Sequence, residues 1–241
     1  GFSYPFDAAI VWGGGEFTVL YQRLGTKGLI LKLGKPIREI NRSFYHANVY
    51  EYPLAFLKLP NGRIGLIHCP DQYCRLEIED VETGERLTTR DTKSVDFFHS
   101  RLSVSPNGRY LLSAGWIWHP FEYIHLFEVT QALSTPSTLD AGKLWLTRDG
   151  VTIPSGFVTD KRIIFTTGDD FYSENDIDEE QINLLPPQVI AQYNLSEKRI
   201  AHFAPLPETA GIIYPFSQNH VFSCYKHPKI VDLTTGEIVA R

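Results

Sequence analysis

The chain has 241 residues, with 23 Lys plus Arg against 28 Asp plus Glu and a formal charge of −5. That balance excludes a nucleic-acid binder working through a cationic stripe, which must displace counterions from phosphates. With 43% hydrophobic residues and 4 Trp, 12 Tyr and 15 Phe, a sizeable core can be buried and general disorder is excluded.

No apolar run approaches the roughly 18 residues of a membrane helix, and the start of the chain lacks the cationic and apolar regions of a signal peptide. The expectation is a soluble, cytoplasmic protein with no membrane partner. Three cysteines, Cys69, Cys74 and Cys224, are too few and too odd in number for a disulfide scaffold, which fits a reducing compartment.

Gly13-Gly14-Gly15 precedes a strand-like segment, Glu16 to Gln22. It reads as a hairpin turn, because a phosphate-binding loop would open a helix. Further on, Pro60-Asn61-Gly62-Arg63 recurs as Pro106-Asn107-Gly108-Arg109, 46 residues later. Each copy lies between alternating apolar runs, and Asn-Gly supplies the positive φ angles of a tight hairpin. A second echo pairs Val81-Glu82-Thr83-Gly84-Glu85 with Leu233-Thr234-Thr235-Gly236-Glu237, 152 residues apart, a distance that fits three units of about 50. These turns place the first and second, then the third and fourth, strands of a repeated four-stranded unit.

Four antiparallel strands every 45 residues or so is the period of a β-propeller blade. The chain is read as one all-β domain, 1–241, a five-bladed β-propeller with blades at about 6–42, 52–90, 101–139, 144–203 and 211–241. The innermost strands would be Ala8 to Trp12, Leu54 to Leu59, Leu102 to Ser105, Gly156 to Thr159 and Gly211 to Phe216. A β-sandwich, or a fragment of a larger propeller, is the alternative architecture. Ser105-Pro106-Asn107-Gly108-Arg109-Tyr110-Leu111 resembles the Ser-Pro-Asp/Asn-Gly-Arg/Lys-x-Leu turn of bacterial WD40-like and YVTN-type propeller repeats. No Trp-Asp dipeptide closes a blade and no Gly-His opens one, a departure from eukaryotic WD40 proteins.

Blade topology puts the short Asn-Gly and Thr-Gly turns on one side. The other side receives the connections between second and third strands and the crossovers between blades. Aromatics, histidines and acids collect there, on loops of the kind that carry binding. Tyr45 and His46 lie in the first crossover, Phe98 and His99 in the second, Trp116, Trp118, His119 and Tyr123 in the third blade, and His227 in the fifth. The run from Asp169 to Glu180, with Asp169, Asp170, Asp176 and Asp178 among its seven carboxylates, contains no basic residue. It suits a basic docking surface on a partner. Packing between blades is the competing reading for the tryptophans, and a solvated insertion for the acidic run.

His68 with Cys69 and Cys74, or Cys224 with His227, departs from zinc spacing, and no metal or cofactor is expected. Five-bladed propellers are also similar to furanosidase-type glycoside hydrolases, whose carboxylates meet on the axis. That resemblance would make Asp7, Glu51 and Asp96 the catalytic acids, with their separation setting the stereochemical outcome. The favoured reading is non-enzymatic: a propeller that binds a protein partner through its aromatic, His-rich and acidic rim. It would act as an adaptor or a toxin-neutralising immunity protein, as a monomer or within a hetero-complex.

Overall fold

A computed structural model describes residues 5–118, 121–145, 155–168 and 185–241. Five antiparallel sheets follow one another along the chain, each running through its strands in sequence order. Five successive meanders differ from the two facing layers of a sandwich.

The first sheet holds β1 (Ala8–Trp12), β2 (Phe17–Tyr21), β3 (Lys27–Lys32) and β4 (Lys35–Asn41). Gly13, Gly14 and Gly15 join β1 to β2, all at positive φ, which explains three consecutive glycines where any side chain would be strained. Phe17, Val19 and Tyr21 alternate inward along β2, and with Ile30, Ile40, Tyr52, Leu54, Phe56 and Leu66 they form one buried cluster.

The second sheet holds β5 (Ala55–Lys58), β6 (Ile64–His68) and β7 (Glu77–Asp80). Beyond β7 the outer-strand pairing is reduced, among the described residues, to a single bridge between Glu79 and Arg86. Side chains take over the pairing there: the Ile78 N–H donates to the Thr88 hydroxyl at 2.8 Å, and that hydroxyl donates to Glu77 at 2.8 Å.

The third sheet contains β8 (Leu102–Val104), β9 (Tyr110–Trp118), β10 (Phe121–Glu128) and β11 (Lys143–Trp145). Its outer strand is β11, whose last two residues the sequence reading gave to the next blade. The reason is an inserted short helix, α1 (Val129–Ser134), which buries Val129 and Ala132 before the chain returns to complete the sheet. No helix among the described residues is long and apolar enough to cross a membrane.

The fourth sheet comprises β12 (Ser155–Thr159), β13 (Arg162–Thr166), β14 (Val189–Asn194) and β15 (Arg199–Pro205). The fifth comprises β16 (Ile213–Pro215), β17 (His220–Ser223), β18 (Lys229–Asp232) and β19 (Ile238–Ala240). The chain forms two compact units, the first built on sheets one and two, the second on sheets four and five, with the third sheet divided between them. In the second unit Ile164, Ile190, Ala204, Ile213, Val221, Val231 and Leu233 make a single core.

The Thr-Gly-Glu echo has a shared cause. Asp80 Oδ1 accepts from the N–H groups of Glu82 and Thr83 at 3.0 and 2.9 Å, and Asp232 Oδ1 from those of Thr234 and Thr235 at 2.7 and 2.9 Å. Four residues after each aspartate a glycine takes positive φ, +73° at Gly84 and +76° at Gly236. A Cβ on Gly236 would lie 2.0 Å from the Pro205 carbonyl oxygen, so no other residue fits there.

A candidate partner-binding surface

The site belongs to the first unit and starts at Arg42, directly after β4. Its side chain is buried and donates from Nε to the Gly25 carbonyl at 2.6 Å and from Nη2 to the carbonyls of Ala47 at 2.7 Å and Tyr50 at 3.0 Å. Its guanidinium carbon lies 4.4 Å from the Tyr50 ring centroid and 4.9 Å from that of Tyr52. A planar cation with several donors can thus hold the whole crossover from beneath.

The loop above it turns tightly. The Ala47 N–H donates to the Phe44 carbonyl and the Val49 N–H to the His46 carbonyl, with His46 at φ +51°. Ala47 and Tyr50 are drawn in, which throws Phe44, Tyr45 and Val49 outward, 86%, 48% and 56% exposed. Three large apolar side chains therefore face water within six residues.

Two further loops complete it. Tyr73, in the β6–β7 connection, stacks on Phe98, from the crossover after β7, with centroids 4.1 Å apart and planes at 20°. Tyr45 stacks on Tyr73 at 5.1 Å, and His46 meets Tyr45 edge-on at 4.4 Å. Tyr50 presents its edge to Phe98 at 5.3 Å, so the rings run from the buried Arg42 out to the exposed Tyr45. The Tyr73 hydroxyl donates to Asp96 at 2.6 Å, and this bond, with some burial, pushes the Tyr73 phenol well above its ordinary value.

Of the residues singled out from the sequence, Tyr45, His46 and Phe98 come together here. Phe44, Val49, Tyr50, Tyr73 and Arg42 share the site with them. His99 is buried, and its Nδ1 sits 3.0 Å from the Ser113 hydroxyl, which ties the crossover to β9. Trp116 and Tyr123 are half-buried, on β9 and β10, and Trp118 ends β9. His227 is exposed in the β17–β18 connection. Trp116, Trp118, Tyr123 and His227 all belong to the second unit. His119, Asp169, Asp170, Asp176 and Asp178 lie outside the described residues.

The three carboxylates of the hydrolase alternative each have a neighbour. Asp7 accepts from the Arg23 N–H at 2.7 Å, Glu51 from the Tyr21 hydroxyl at 3.4 Å, and Asp96 from Tyr73. Among the described residues no three His, Cys, Asp or Glu side chains gather in a way that could hold a metal ion.

A second exposed aromatic group lies on the outer face of the fifth sheet. Tyr214 pairs with Phe222 across β16 and β17, and Phe216 packs on Phe222 at 4.4 Å.

Comparison with known proteins gives the fold. No family model matches the chain, and no curated protein does. Among solved structures, the WD40 domain of Neurospora crassa Pan2 superposes with a TM-score of 0.59 at 13% identity, over 96% of this chain and 62% of that one. Kuenenia stuttgartiensis hydrazine synthase superposes with a TM-score of 0.61 at 14% identity, over 93% of this chain and 64% of that one. The chain therefore has a WD40-like β-propeller fold, and it spans less than two thirds of either neighbour.

Proposed function

We propose that this chain is a non-enzymatic β-propeller that binds a protein partner through the surface built by Phe44, Tyr45, His46, Val49 and Tyr73 over the buried ring of Phe98. The observation that carries the reading is Phe44, 86% exposed beside Tyr45 and Val49 on a loop whose other side is locked by Arg42. A rigid loop cannot retract these side chains into the core, so their burial has to come from another molecule. Aromatic rings supply much contact area for little loss of side-chain freedom, which suits them to this role. The chain's −5 charge favours a partner basic at its docking surface. Within this reading the protein works in the cytoplasm, as an adaptor or as the neutralising partner of a toxin.

The test is capture from the source cell with three forms of the protein: wild type, Phe44→Ser, and Phe216→Ser as a control on the second aromatic group. One stoichiometric protein should be retained by wild type and Phe216→Ser and lost by Phe44→Ser, with all three melting at similar temperatures. Retention by Phe44→Ser removes the proposal. A parallel screen with arabinosides and fructosides checks the hydrolase alternative, and turnover abolished by Glu51→Gln would install that reading instead.

A further inference from the structure

We infer that the segment docking on this surface presents an arginine side chain, stacked on Tyr45 and forked onto the carboxylate of Asp96. This rests on the reading of the surface as a docking site and names what it takes.

Three observations converge. First, Asp96 is exposed and held in place by the Tyr73 hydroxyl at 2.6 Å, which engages one oxygen and leaves most of the acceptor capacity of the carboxylate open. Second, no Lys or Arg among the described residues pairs with it. Arg75 is committed to the carbonyls of Arg90 and Thr92 and to Glu77, Arg90 to Asp140 and the Leu76 carbonyl, and Arg42 to the crossover carbonyls. Third, the carboxylate is bonded to the same tyrosine on which Tyr45 stacks, so an anion and a half-exposed aromatic residue belong to one cluster.

A ligand answering both must carry positive charge and a flat face. A guanidinium has both, stacking on a ring while its paired N–H groups reach a carboxylate, whereas an ammonium offers a point charge only. The cluster already contains such a contact at its inner end, where Arg42 lies over Tyr50.

The probe is the tripeptide acetyl-Gly-Arg-Gly-amide, titrated into the 241-residue protein and followed by NMR at Tyr45, His46 and Tyr73, beside the same tripeptide with lysine or with citrulline. Citrulline keeps the shape of arginine and removes its charge. The arginine peptide should bind saturably, with the lysine and citrulline peptides weaker by roughly tenfold or more, and Asp96→Asn should lower its affinity by a similar factor. Equal binding of the citrulline peptide, or an unchanged affinity in Asp96→Asn, overturns the inference. The two proposals fail separately. A captured partner lost by Phe44→Ser but indifferent to Asp96→Asn leaves the docking site standing and removes the arginine, and a partner indifferent to both removes both.

Discussion

Arg42 lies over the ring of Tyr50 at 4.4 Å while donating to the carbonyl of the same residue at 3.0 Å. One side chain therefore fixes both the backbone and the ring that supports Phe98, and through Phe98 and Tyr73 the ring of Tyr45. Arg42→Ala leaves the carbonyls of Gly25, Ala47 and Tyr50 without this donor in a buried place. The expected loss is about 3 kcal/mol, read by urea unfolding, because several buried acceptors are orphaned together. Arg42→Lys keeps the charge but cannot reach all three carbonyls or lie flat on Tyr50, so it should recover only part of the loss. Wild-type stability in Arg42→Ala would contradict this account of the loop.

The turn motif of sheets two and five recurs, disguised, in the fourth. Asn194 Oδ1 accepts from the N–H groups of Ser196 and Glu197 at 2.9 and 3.2 Å, as Asp80 and Asp232 do in their turns. Four residues on, where those turns have glycine, stands Lys198 at φ +52°. A side chain is strained in that region and glycine is not. Lys198→Gly should stabilise the protein by roughly 0.5–1 kcal/mol, seen as a higher melting temperature, and a lower one would mean that the lysine contributes a contact outweighing the strain.

These comparisons show what could be read in advance. The hairpin turns were legible because their chemistry is local: Asn-Gly and Thr-Gly announce positive φ whatever surrounds them. The fourth sheet's copy was hidden since Lys198 gives no such signal. The site was legible as a set of loops, and its composition was not. Phe97, Phe98, His99 and Ser100 are all buried in succession, so the alternation that sorts strand residues into inward and outward fails in this crossover. His99 consequently looked like a rim residue. Tyr73 gained its place from Phe98 and Asp96, more than twenty residues away in sequence, and no local pattern registers such a meeting.

Acid should weaken the fold through three carboxylates of the first unit. Burial raises Asp140, but the hydroxyls of Thr92 and Ser94 and the Arg90 guanidinium outweigh it and hold it below the ordinary carboxylate value. Burial also raises Glu79 and Asp80; His68 and Arg38 reverse this for Glu79, and the Thr83 amide and hydroxyl with Arg63 reverse it for Asp80. A carboxylate depressed in the folded state stabilises it fully above the unfolded value, near 4, and loses that contribution as pH falls toward the folded value. Urea midpoints should fall below about pH 4, and Asp140→Asn should lower stability at pH 7 while flattening that acid limb. A limb as steep in Asp140→Asn as in wild type would exclude Asp140 from acid unfolding.

His125, buried in β10, acts in a different window and can be separated from the carboxylates. Burial pushes its imidazole down to about 4, against an unperturbed value near 6.5. Between these values the unfolded chain takes up a proton that the folded chain refuses, so stability falls as pH drops from about 6.5 and levels off below the folded value. The whole span amounts to about 3 kcal/mol at most. His125→Phe, of similar size and without a titrating group, should abolish the slope between pH 6.5 and 4 and leave the carboxylate limb below it intact. A slope unchanged in that variant would exclude His125 from the mid-range proton uptake.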